Sequence, residues 1–415
     1  MRRASESTNT SWRIPEIDGL RALAMLMVYA FHTGQTSSPA VIFGKPWDLF
    51  AAVSQFATGV QLFMVLSGFC LFWPLCKSAD ALAHWDWKEY GWRRLRRIVP
   101  PYYAAIIYAA VLPMVLVLIF RMLGMRANWQ PMPTAWQLIA HLLFIHTLFP
   151  GTWAGITGAF WSLGLEAQFY VVFPLVIFAF RKWRFRVIAA MIVSSVLFRA
   201  IIGLVIPTQM KVWEIVLSIS FLAHWMQFAT GMLVAWLVAK DWREGRERGV
   251  WTGAAGLAGA LGLYIAATQS IFPASLSYLP IVEVLLTASF GLLIYALCTT
   301  RTPVRRFFGS RVMTRLGLMS YSIFLIHQPT AWYFSEMLRK KFQITGLPEF
   351  VLLCTAGFAV LLAISYGFFR LFELPYLVAG HREMAFAEPA LSRTEAAAWQ
   401  IAAASVETAD SRSVD

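Results

Sequence analysis

Charge is scarce in this chain. Lys, Arg, Asp and Glu make up 14% of its 415 residues and apolar types 59%, with a mean hydropathy of +0.60. A soluble globular chain carries about 25% charged and about 45–50% apolar residues. So much apolar surface cannot all be hidden from water, which argues against a soluble enzyme. The same composition excludes a disordered, fibrous or nucleic-acid-binding protein. Cysteine is sparse as well. Cys70, Cys76, Cys298 and Cys354 lie in or beside apolar runs with no Cys-x-x-Cys pair, so neither a disulfide framework nor a zinc site is indicated. No cleavable leader is evident, because the first apolar run follows directly on Asp18 and Arg21 without a small-residue cleavage site. The chain therefore reads as an all-α polytopic membrane protein whose main partner is the lipid bilayer.

A spanning helix needs about 20 mostly apolar residues. Ten runs qualify, near 17–35, 48–76, 99–120, 159–180, 187–206, 216–239, 250–269, 280–298, 316–334 and 349–372. An eleventh, 135–149, has about 15 residues and suits a short interfacial or re-entrant segment. The net charge of +13 fits basic loops that fix orientation. With ten spans and an inner N-terminus, the inner segments hold 25 Lys and Arg and the outer loops seven. That bias places both termini in the cytoplasm of a multi-pass protein of the cell membrane. Pro100 and Pro101 are expected to open the third span, where a missing N–H costs little. Residues 1–382 form the membrane domain, and the Ala-, Ser-, Glu- and Thr-rich stretch 383–415 reads as a flexible tail.

A charge at mid-bilayer costs at least ~2.5–3.5 kcal/mol on insertion scales. The ionisable groups in or beside spans are Asp18, Arg21, His32, Glu166, Arg199, His224, Glu283, His327 and Glu373. Arg21 and His32 are eleven residues apart. Eleven steps of about 100° leave about 20° of net rotation, so both share one helix face, about 16 Å apart along the axis. Asp18, one turn before Arg21, can pair with it. The alternative is an interface anchor at one end and a packing or capping histidine at the other. Arg93, Arg94, Arg96 and Arg97 crowd the inner end of the third span. Guanidiniums suit phosphates, although such a cluster also serves as a topology signal against anionic lipid. Glu166 is expected at a depth similar to His32, where it would orient the ring or stabilise its charged form. His327 reads equally as a structural histidine or a substrate ligand.

Taken together, six stretches resemble the membrane-bound acyltransferase-3 family in the family's own order. They are IDGLRALA with histidine eleven residues after the arginine, GVQLFMVLSGF, Arg93-Arg94-x-x-Arg97, WSLGLEAQFY, SYSIFLIH and FELPY, from Ile17 to Tyr376. Gln61 departs from the acidic residue the family often has there, so it receives no acid role. The resemblance implies an O-acyltransferase with a cytoplasmic acyl-CoA donor, acetyl-CoA by default, and a hydroxyl acceptor. By position it implies Arg21 and His32 as a catalytic pair, Glu166 as the acidic residue of the Trp-Ser-Leu motif, and Arg93, Arg94 and Arg97 as donor-binding groups. Ser67, Trp161, Ser162, Tyr321 and His327 fall in these motifs and, with Asp18, are expected to support substrate or structure.

In that reading His32 takes a proton from the acceptor hydroxyl, which attacks the thioester. His, Asp and Glu spacings suggest no metal. The favoured acceptor is a lipid-linked glycan or envelope polysaccharide. A small hydroxylated metabolite such as an antibiotic is the alternative. From another class, ten helices with buried His, Glu and Arg also suit a secondary transporter, although no inverted repeat is detectable.

Overall fold

The computed structural model describes residues 14–42, 45–76, 81–82, 84–122, 124, 132–205, 211–244, 249–268 and 280–377. The tail assigned to 383–415 lies outside the described residues. The described chain is helical apart from one small hairpin, residues Ala40–Ile42 paired antiparallel with Lys45–Trp47.

Helix α1, Pro15–Thr36, opens with proline in its first turn beside Glu16 and Asp18. Proline loses nothing there and the two carboxylates favour the positive helix end. Arg305 fixes that end by donating from Nε to Glu16 (2.7 Å). Ser37 closes α1, its backbone N–H and hydroxyl both donating to Thr33 O. The remaining elements are α2 (Leu49–Cys76), α3 (Trp87–Met122), α4 (Ala135–Leu142), α5 (Gly158–Trp183), α6 (Phe185–Val205), α7 (Lys211–Ser218), α8 (Phe221–Arg243), α9 (Val250–Thr268), α10 (Ile281–Thr299), α11 (Pro303–Phe308), α12 (Arg311–Leu318), α13 (Ser320–Phe342) and α14 (Leu347–Leu377).

Eight of these helices are long and apolar enough to cross a membrane. Two more, α1 and α13, have 22 and 23 residues, about 33 Å or more, but carry charged groups at their ends. Those two lie inside the bundle. Helix α1 packs on α2, α12 and α13, and α13 also meets α3 and α14. Leu20, Ala22, Ala24 and Met25 of α1 are buried, whereas α9 presents Trp251, Leu261 and Ile265 outward. The eight-residue α4 is about 12 Å long and cannot cross a bilayer.

Close seams hold the bundle. A Cβ at Gly68 of α2 would stand 2.2 Å from Phe228 O of α8, and one at Gly231 of α8 would stand 2.1 Å from Val65 O. Only glycine permits that approach, the usual device of helices packed in lipid.

One expectation is corrected. Pro100 and Pro101 do not open the third span; α3 begins at Trp87 and carries both prolines, and Pro113, in its interior. Neighbouring helices sustain such an interruption. Here the Tyr321 hydroxyl of α13 donates to Ile98 O, beside the proline pair (3.1 Å). The arginine cluster consequently sits on a rigid helix, not a loop.

Candidate active site

We call the side of the bundle where α1 begins the near face and the opposite side the far face. Arg21 sits on α1, its Nη1 3.6 Å from Asp18. Arg94 and Arg97 of α3 turn toward the same space. The Arg94 guanidinium lies over the rings of Tyr90 (5.7 Å) and Tyr170 (5.3 Å). Arg97 is in electrostatic range of Arg21, Arg94 and Glu373, yet its guanidinium makes neither a hydrogen bond nor an ion pair among the described residues. Arg93 stands apart, exposed at the rim and paired with Glu89 one turn back. The helical period explains the split, since Arg97 falls angularly between Arg93 and Arg94 and the outermost of the three reaches solvent.

Carboxylates balance these cations without occupying their N–H donors. Glu373, from FELPY, is buried and accepts from Ser322 Oγ (2.5 Å). Glu166 accepts from Ser67 Oγ of α2 (3.0 Å) and from the Tyr170 hydroxyl. Its charge is in range of Arg21. No hydrogen bond joins Glu166 to His32 among the described residues, so the expected Glu166–His32 partnership is not found. The reason is depth. Ala159 lies at the level of His32, held there by Gln328, and Glu166 is seven residues further along α5, about 10 Å toward the near face.

His32 occupies the far end of α1. Its Nδ1 is 3.1 Å from Gln35 Oε1 and 3.4 Å from Gln328 Nε2. No bond engages its Nε2 among the described residues. The His327 ring lies 5.1 Å away between centroids. His327 must carry its proton on Nδ1, which is 2.6 Å from Phe324 O. Its Nε2 is therefore a lone-pair acceptor, buried and unpartnered. Gln328 is fixed in turn, because its Oε1 accepts from Thr157 Oγ1 (2.5 Å) and from Ala159 N–H (2.8 Å). That leaves its amino group aimed at His32. Between Arg21 and His32 the same stripe of α1 carries Met25 and Val28, both buried. The stripe is a closely packed apolar lane, Met25 1% and Val28 2% exposed, with cations at one end and two imidazoles at the other.

Trp161 and Ser162 stand one step away. Ser162 Oγ donates to Ala159 O (3.3 Å), and the Trp161 ring lies 5.7 Å from His224. The rest of their motif clamps the segment around α4. Gly164 lets the buried His146 approach to where a Cβ would be 2.8 Å from its ring, and Gln168 donates to Thr147 Oγ1 (2.8 Å). Sequence reasoning passed over Gln328, Thr157 and Tyr170, and gave Glu373 no role. The one available signal for Gln328 was its place directly after His327. No group of three or more potential metal ligands is found among the described residues.

Comparison with known proteins gives the family of the chain. A family model described as an acyltransferase domain matches residues 14–366. The chain is 26% identical over 338 residues to the acyltransferase MdmB of Streptomyces mycarofaciens, covering 76% of this chain and 78% of that protein. It is 26% identical over 174 residues to the peptidoglycan O-acetyltransferase OatA of Listeria monocytogenes, covering 41% of this chain and 25% of that protein. It is 28% identical over 165 residues to the putative peptidoglycan O-acetyltransferase YrhL of Bacillus subtilis, covering 39% and 23%. The chain thus matches about a quarter of the length of the latter two relatives. No solved structure matches.

Proposed function

The chain belongs to the acyltransferase-3 family, and from that premise we propose that it is an integral membrane O-acyltransferase moving an acyl group, acetyl by default, from acyl-CoA to a glycan hydroxyl. The family assignment sets the transporter alternative aside. In this reading the near face is cytoplasmic, in accord with the bias of basic residues. Arg21, Arg94 and Arg97 offer free N–H donors to the phosphates of coenzyme A, a task for which guanidiniums are well shaped. Arg93, at the rim, adds only a screened attraction.

The pantetheine arm then spans the distance of about 16 Å between the two ends of the stripe, which is of the order of that arm, once the helices packed over Met25 and Val28 part to admit it. The thioester arrives beside His32. With its proton on Nδ1, donated to Gln35 Oε1, the ring presents a lone pair at Nε2; the Gln328 amino group, 3.4 Å from that same Nδ1, makes no hydrogen bond to the ring in this tautomer. The acceptor O–H gives its proton to Nε2 as its oxygen bonds to the thioester carbonyl carbon. The C–S bond breaks, and the coenzyme A thiolate takes the proton back from the imidazolium. Gln35 positions the ring by accepting from Nδ1–H, and Glu166 acts on the donor end through Arg21.

The observation that carries this reading is that one helix face joins guanidiniums with unused donors to an imidazole with an open Nε2. The glycan acceptor is favoured by the printed names of the Listeria and Bacillus relatives. The test is to give the purified protein acetyl-CoA with a peptidoglycan-type glycan, or with a small hydroxylated metabolite, and to follow coenzyme A release and acetyl esters on the acceptor. Release with glycan is expected. Release only with the small metabolite would reassign the acceptor, and none with any hydroxyl compound would end the proposal.

A further inference from the structure

A second cationic feature lies away from the lane, where α2, α5 and α8 end at the near face. A cavity of about 430 Å³ opens between them. Its walls include Phe72, Phe180, Phe185 and Trp236, and three guanidiniums line it, those of Arg181, Arg184 and Arg243. No carboxylate lines it among the described residues. Arg181 donates from Nε and Nη2 to Leu82 O, and Arg243 from Nη1 to Cys76 O (3.2 Å). The Arg184 guanidinium makes no hydrogen bond or ion pair among the described residues. It also turns the corner from α5 to α6 in a left-handed conformation, φ +50°, which a non-glycine residue adopts only at a cost.

The aromatic wall discriminates between phosphate-bearing ligands. Phe72 meets Phe180 edge-on at 5.0 Å, Phe180 meets Phe185 at 5.9 Å, and Phe185 meets Trp236 at 4.6 Å. Each ring is packed edge-to-face on the next, so the rings form one continuous apolar wall rather than a pair of parallel faces that would sandwich a flat base. A smooth apolar wall below a cationic rim instead fits a flexible hydrocarbon chain that carries a phosphate. Basic pockets between helix ends at the cytoplasmic surface hold anionic headgroups by this chemistry.

We propose that this cavity binds an anionic phospholipid, its phosphate on Arg181, Arg184 and Arg243 and its chain along the aromatic wall. The site is separate from the donor-binding arginines and does not depend on the acyl-transfer reading. The full-length protein, reconstituted in phosphatidylcholine nanodiscs containing a minor share of phosphatidylglycerol, would be analysed by native mass spectrometry for retained lipid. Retention of phosphatidylglycerol over phosphatidylcholine is expected. Arg184→Gln, which removes no internal bond, should lower that retention about fivefold, and Arg184→Lys should largely restore it. Arg311→Gln, an exposed near-face charge elsewhere, should leave it unchanged. Thermal unfolding verifies that the variants are folded. Equal retention in the native protein and Arg184→Gln would overturn the proposal. Displacement of the lipid by inorganic phosphate or adenosine 3′,5′-bisphosphate would also overturn it, by assigning the cavity to a soluble phosphate.

Discussion

The two ends of α1 handle polarity in opposite ways. At the Arg21 end, three guanidiniums face one space, and the nearby carboxylates of Glu166 and Glu373 take their hydrogen bonds from Ser67, Tyr170 and Ser322. Charge is balanced there while donors are left over. At the His32 end no charged group is bonded to the ring. Gln35 Oε1 orients the His32 ring, while the Ala159 N–H and Thr157 hold Gln328 beside it. The first arrangement suits holding an anion. The second suits moving a proton, because a neutral, well-oriented imidazole keeps a lone pair available. What separates the functions is about 16 Å of one helix.

Substitutions that destroy one end and spare the other sharpen this comparison. The largest effect is expected from His32→Ala, which removes the proton acceptor; kcat for acyl transfer should fall by about 10²–10⁴-fold, with membrane insertion unchanged by fractionation. Next is the double variant Arg94→Gln, Arg97→Gln. It should raise the donor KM by about 10²-fold or more with a smaller change in kcat, since each guanidinium–phosphate contact contributes about 1.5–3 kcal/mol. Glu166→Gln is expected to act at the near end. Ser67 and Tyr170 can still donate to the amide oxygen, but one negative charge leaves the anion site, so the donor KM should fall about two- to threefold. The pH profile of kcat should stay where it is. A displaced profile would return Glu166 to the histidine and break the division. Arg93→Gln should do least, less than about twofold in donor KM, because its charge is exposed and already paired with Glu89.

Much of this was legible in the sequence because it depends on periodicity alone. Apolar runs of about 20 residues announce spans, and an eleven-residue spacing on a helix fixes a shared face wherever the helix sits. What failed needed knowledge across elements. Pro100 and Pro101 read as a helix start by local rule, but packing against α13 and α14 carries α3 through them. Glu166 looked level with His32 because the depth at which α5 begins is set by Gln328, 169 residues beyond Ala159. Gln328 itself carries no charge and repeats no pattern, so nothing local distinguishes it from any polar residue near a helix middle.

The most direct test of the division along α1 is equilibrium binding of coenzyme A to His32→Ala and to the Arg94→Gln, Arg97→Gln pair, by calorimetry on purified protein. His32→Ala is expected to bind as tightly as the native protein although its acyl transfer falls by about 10²–10⁴-fold, while the arginine variant binds more weakly by about 10²-fold or more. Loss of binding in His32→Ala, or native affinity without the two arginines, would contradict that division.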